Sequence, residues 1–147
     1  MKRQVLHCLA RCILLCLPIL AIADEQGADS PVIIVSPQQT PAAISKNALR
    51  AMFGMRLRNW PDQTPVHVFV LRDDNPTHSV FSKQILNIYP HQLRLAWDRL
   101  VFSGTGQAPT EVSSEEEMRE QVAKTPGAIG YLSRSMVNDR VHMLPVQ

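Results

Sequence analysis

"KTPGAIGYLS", residues 124–133, sets one proline, two glycines and one aromatic between a charged helical pattern and the last apolar run of the chain. Proline disfavours the α conformation in the residue before it, so the upstream helix must stop by Thr125. Gly127 is free to take the positive φ that a tight reversal needs. The residues that follow, Ala128 to Leu132, read as a short buried strand at the edge of a sheet. A helix that reverses straight into a strand is the α/β mode of construction, and the rest of the chain extends it.

Working back from this turn, "SSEEEMREQVAK" (113–124) reads as a helix capped by Ser113 or Ser114, with three glutamates in the first turn, where the helix dipole favours negative charge. Pro90 opens another, in which Leu93, Trp97, Leu100 and Val101 recur at spacings of three and four before "SGTGQAP" (103–109) breaks the pattern. Pro76 suits the first turn of a helix carrying Val80, Phe81, Ile85 and Leu86 as its apolar stripe. "VHVFVL" (66–71) alternates and reads as a strand, as does "VIIVS" (32–36) between Pro31 and Pro37. Ser45 is an N-cap for "KNALRAMFG" (46–54), with Ala48, Leu49, Met52 and Phe53 on one side and Gly54 closing the end. "VHMLPV" (141–146) supplies a last short strand. The expectation is one α/β domain over residues 31–147, a mixed sheet flanked by helices, with 24–30 as a polar lead-in.

Residues 1–23 read as a secretory signal peptide. "MKRQ" is a basic start, Val5 to Leu20 is mostly apolar, and Ala21-Ile22-Ala23 offers the small residues that signal peptidase needs before Asp24. A retained anchor is the competing reading, but Arg11 splits the apolar stretch to well under the roughly 20 residues that span a bilayer. Neither Cys12 nor Cys16 follows the small residue a lipoprotein signal wants. All three cysteines, Cys8, Cys12 and Cys16, lie in this leader, so the mature chain is expected to hold no disulfide and no thiol nucleophile. Loss of Lys2, Arg3 and Arg11 leaves twelve basic residues against thirteen acidic ones, a net charge near −1, which removes the electrostatic case for nucleic acid.

Two further stretches, "ISKNALRAMFGMRLRNWPDQTPVHVFVLRDDNPTHSVFSKQIL" (44–86) and "TPGAIGYL" (125–132), resemble the second lobe of the phosphate-binding proteins of ABC transporters, in the type 2 periplasmic-binding superfamily. The likeness covers residues 31–147 and rests on several spaced motifs in order. It implies a single-lobe domain of that fold, a periplasmic location, and an oxyanion held by an arginine at a strand end together with donors at the next helix start. In "LRDDNPTHSVF" (71–81) those positions fall on Arg72, Thr77, His78 and Ser79, beside Asp73 and Asp74. The family's turn reads Arg, three residues, then Ser-Gly-Thr. Here those last three places hold Pro76, Thr77 and His78, so a backbone N–H, a hydroxyl and the close approach a glycine permits are all missing.

On this resemblance the chain is expected to supply one lobe of the family's cage without the other. A charge-assisted hydrogen bond sheltered from water contributes about 1.5–3 kcal/mol, an exposed ion pair only about 0–1 kcal/mol, so half a cage is expected to bind phosphate weakly unless a second copy or another protein closes over it. The alternative is a periplasmic interaction module, an accessory to a transporter or sensor whose cleft edge docks onto a protein. Ser-Gly-Thr does occur at 103–105, but it follows a helix, so it reads as loop. No Gly-x-Ser-x-Gly elbow is present, and catalysis is not expected. The histidines and methionines show no i, i+4 ligand pair, the methionines read as core filler, and Trp60 and Trp97 read as packing residues. No cofactor or metal is expected.

Overall fold

The computed structural model describes residues 29–147, so the leader and its cysteines lie outside the described residues. Five strands form one mixed sheet: β1 (Pro31–Val35), β2 (His67–Leu71), β3 (Thr110–Val112), β4 (Ala128–Ser133) and β5 (His142–Met143). Their order across the sheet is β3-β2-β4-β1-β5. β2 runs parallel to β3 and β4, while β1 is antiparallel to both β4 and β5. Four α-helices connect them: α1 (Lys46–Phe53), α2 (Pro76–Val80), α3 (Pro90–Phe102) and α4 (Glu115–Lys124).

Local chemistry sets the helix ends. The Ser45 hydroxyl accepts from Ala48 N–H and begins α1; the Ser114 hydroxyl accepts from Glu117 N–H, so Ser114 is the cap of α4. Asn75 caps α2 with its side-chain oxygen, and Pro76 occupies the first turn, where no N–H is needed. α2 does not continue as a plain α-helix. It passes into a π-helical segment, Phe81–Leu86, that ends at Asn87 in the left-handed conformation.

The strand read from "AIGYL" is central, third of five, and buried throughout, where the sequence suggested an edge. Its side chains alternate between two covered faces. A Cβ on Gly130 would lie 2.5 Å from Met118 Sδ and 3.1 Å from Val122 Cγ2, so α4 packs directly on that backbone. The next residue, Tyr131, faces the other way and stacks on Phe81, ring centroids 3.7 Å apart, with Phe53 beside it. Helices therefore cover both faces of the sheet, as expected for a mixed sheet flanked by helices.

Double coverage also explains why β2 does not alternate as its sequence suggested. Val68, Phe69, Val70 and Leu71 are all buried because both faces meet helices. In α3, Leu93 and Trp97 enter the core, but Leu100 lies only half-buried and Val101 is exposed. β3 gave no strand signal: it is three residues long, two of them exposed, and is held by pairing to β2 alone.

The turn at Pro126-Gly127 closes as its residues require. Gly127 has φ +73°, and its carbonyl accepts from His67 N–H and from the Trp60 indole at 2.9 Å. A Cβ there would fall 2.1 Å from the carbonyl oxygen of Pro65. Gly104 shares a positive φ, +69°, but a Cβ would meet nothing within 4 Å. Left-handed backbone costs an L-residue about 1–2 kcal/mol. Gly104→Ala is therefore expected to cost about 1 kcal/mol, and Gly127→Ala at least about 2 kcal/mol through the added collision. Urea denaturation of the two variants checks the difference; equal costs would contradict it.

Candidate functional site

The strand end and helix start singled out in the sequence form one continuous turn. β2 finishes at Leu71, Asn75 N–H donates to Arg72 C=O, and Asn75 Oδ1 accepts from Thr77 N–H at 2.9 Å, which starts α2. The four candidate residues then diverge. Arg72 points into solvent, with its side chain 60% exposed and Nε 3.3 Å from Oδ1 of the still more exposed Asp74. The Thr77 hydroxyl donates to Glu115 Oε1 at 2.5 Å. Ser79 is half-buried along the helix, its N–H bonded to Asn75 C=O. His78 is completely buried.

His78 Nδ1 lies 2.5 Å from the Tyr131 hydroxyl, and that hydroxyl accepts from Leu71 N–H at 2.9 Å. With one lone pair engaged by Leu71, Tyr131 donates its proton to Nδ1, which leaves the imidazole proton on Nε2. Nε2 has no hydrogen-bond partner among the described residues; the nearest acid is Asp73, whose Oδ1 is 3.6 Å away. Burial pushes the His78 imidazolium below the ordinary histidine range, with Asp73 opposing and Arg94 adding to the shift. Burial likewise drives the Tyr131 phenol well above the usual tyrosine range.

Asp73 belongs mainly to Arg94. The guanidinium of this α3 residue is bidentate on Asp73, 2.8 Å through both Nε and Nη2, and Nη2 also reaches Glu111 Oε2 of β3 at 3.0 Å. It lies 5.1 Å above the Trp97 ring. Hydrogen bonding to Arg94 holds the Asp73 carboxyl below the usual carboxylate range. Arg72, Asp73, Asp74, Arg94 and Glu111 together line an open hollow of about 310 Å³.

Glu115, the first residue of α4, forms a second knot. Its carboxylate accepts from Thr77 Oγ1, from Ser133 N–H at 2.7 Å and from Ser133 Oγ at 2.9 Å, joining α2, α4 and the end of β4. Arg94, Glu111, Glu115 and Tyr131 were not candidates from sequence. Their partners lie 17 to 60 residues away along the chain, beyond the reach of local spacing. His78 did carry a signal for burial: His78, Phe81 and Ser82 stand at i, i+3 and i+4, and all three are buried. The Ser-Gly-Thr at 103–105 is a loop after α3, with Ser103 and Thr105 hydroxyls 2.7 Å apart. Among the described residues no three acidic, histidine or cysteine side chains converge to hold a metal ion.

A family model described as the PBP superfamily domain matches residues 27–142. Among solved structures, an ABC-type phosphate transport receptor from Vibrio cholerae is similar over 80% of this chain and 46% of its own, at 13% identity and a TM-score of 0.60. PstS from Borrelia burgdorferi is similar over 81% of this chain and 47% of its own, at 19% identity and a TM-score of 0.62. This chain thus spans less than half the length of each, and at such identities the likeness is one of fold. No curated protein is similar enough to match.

The buried imidazole has a measurable consequence. Its folded pKa is depressed, so below the ordinary histidine value, near about 6.5, the unfolded chain binds a proton that the folded chain refuses. Stability from this group is present above that value and is lost as pH falls through it toward the folded pKa. Urea midpoints are expected to drop between pH 7 and pH 5, with a slope that is largely absent in His78→Phe; an unchanged slope in that variant would contradict the assignment.

Proposed function

The chain belongs to the family described as the PBP superfamily domain, and on that footing we propose that it is an exported, non-catalytic binding module that takes a small oxyanion such as phosphate weakly. The observation that carries the reading is the Arg72 guanidinium, more than half exposed at the C-terminal end of β2 and beside the first turn of α2. Its one ion-pair partner among the described residues, Asp74, is itself exposed, so an incoming anion displaces little. The relatives described as a phosphate transport receptor and as PstS support the choice of oxyanion. In this reading Thr77 offers its hydroxyl only by leaving Glu115, Ser79 contributes at the helix flank, and His78 acts from behind as a positioning residue. Export with loss of residues 1–23 belongs to the same proposal, on the basic start, apolar run and Ala-Ile-Ala of the leader.

A guanidinium in water gives little free energy to an ion pair, so affinity in the millimolar range is expected. A second reading, docking of the same edge onto a periplasmic protein, draws support from Glu115, which already satisfies the Thr77 and Ser133 donors. Calorimetric titration separates the two. Protein recovered from the periplasmic fraction, beginning at Asp24, is titrated with phosphate and with sulfate. Saturable heat at millimolar anion that falls severalfold in Arg72→Ala supports oxyanion capture. No heat, or heat indifferent to Arg72→Ala, removes it, and an anion-independent protein partner retained from the extract then favours the second reading.

A further inference from the structure

α3 carries a second, unpartnered face. Leu93 and Trp97 anchor the helix in the core, and at 3.6 residues per turn the residues diametrically opposite are Leu95, Asp98, Arg99 and Phe102, a stripe at i, i+3, i+4 and i+7. Leu95 is 51% exposed and Phe102 88% exposed, so two large apolar groups stand in water one turn to either side of a charged pair. Asp98 and Arg99 are adjacent in sequence and have no ion-pair or side-chain hydrogen-bond partner among the described residues. The stripe borders a shallow groove of about 770 Å³, also lined by Leu100, Ser103 and Thr105.

This pattern is complementary to itself. If a second α3 lies antiparallel across the first about a two-fold axis between residues 98 and 99, Leu95 of one copy meets Phe102 of the other. Asp98 of each then meets Arg99 of the other, twice over. An apolar pair at each end with opposite charges between them fits a second copy of this chain better than an acidic or a basic partner, which would leave one of the two charges opposed. From the groove, the exposed apolar ends and this charge register, we infer that the outer face of α3 is a two-fold self-association surface, separate from the Arg72 edge.

The helix is 13 residues long, about 20 Å, and one such face buries less than the roughly 800 Å² per partner of a standard stable interface. The association is therefore weak and concentration-dependent, in the micromolar range or above.

Sedimentation equilibrium of the full protein up to about 1 mM tests the inference, because charge reversal makes a specific demand on an isologous contact. Asp98→Arg alone sets Arg against Arg99 twice, and Arg99→Asp alone sets Asp98 against Asp twice; each should weaken the dimer at least about tenfold. Mixed in equal amounts, the two variants restore both attractions and should form a heterodimer as tight as the unaltered dimer. Phe102→Ser should abolish association. All four side chains are at least partly exposed, so circular dichroism is expected to be unchanged and loss of folding is separable from loss of contact. A protein that stays monomeric throughout, dimers indifferent to either reversal, failure of the mixture to reassociate, or a different protein found covering Phe102 would each overturn the inference. None of these outcomes depends on anion binding at Arg72.

Discussion

β2 and β4 pair only at their first residues, His67 with Ala128 and Val68 with Ile129, and then diverge. The N–H of Leu71, buried at the far end of β2, would be left without a strand partner, and an unmade buried hydrogen bond costs about 1–3 kcal/mol. The Tyr131 hydroxyl fills the gap, accepting from Leu71 and donating to His78. One side chain of the central strand thus fixes the end of β2 and the first turn of α2 together. Everything proposed for the strand-end turn rests on that joint, because Arg72 follows Leu71 directly and Thr77 precedes His78.

From this joint the surrounding charges fall into a definite order. His78 stands buried and neutral behind Asp73, Arg94 neutralises Asp73 from outside, and Glu111 shares the same guanidinium. Glu115 takes the donors of Thr77 and Ser133. Of the four residues matched to the family motif, only Arg72 is left largely in solvent, and it stands among three carboxylates, Asp73, Asp74 and Glu111, with only Arg94 as a second cation. That balance is why the proposed anion capture is expected to be weak: the strand end supplies one guanidinium, and nothing among the described residues screens it from water.

How much of this was legible in the sequence follows from the range of each interaction. Helix starts at Ser45, Asn75-Pro76 and Pro90, and the reversal at Pro126-Gly127, are decided within a few residues and could be read directly. The central place of β4 could not, since it depends on β1 and β2 arriving from opposite sides, and neither pairing leaves a mark on Ala-Ile-Gly-Tyr-Leu. β3 was missed because Thr110 and Glu111 are exposed and only Val112 enters the core. At the candidate site the turn itself was legible, but the direction of each side chain was not. His78 was a candidate because it falls on the family's helix-start position, but its helical phase with Phe81 and Ser82 places it inside. The Arg94–Asp73 pair spans 21 residues, and no local rule joins them.

A double-mutant cycle on Tyr131→Phe and His78→Phe, read by urea denaturation at pH 7, tests the joint most directly. Tyr131→Phe keeps the ring stack on Phe81 and removes only the hydroxyl, and should cost about 1–3 kcal/mol. The two changes should be non-additive by about 1 kcal/mol or more, since they remove the same hydrogen bond. A Tyr131→Phe variant as stable as the parent, or strictly additive costs, would contradict the account of how this turn is held.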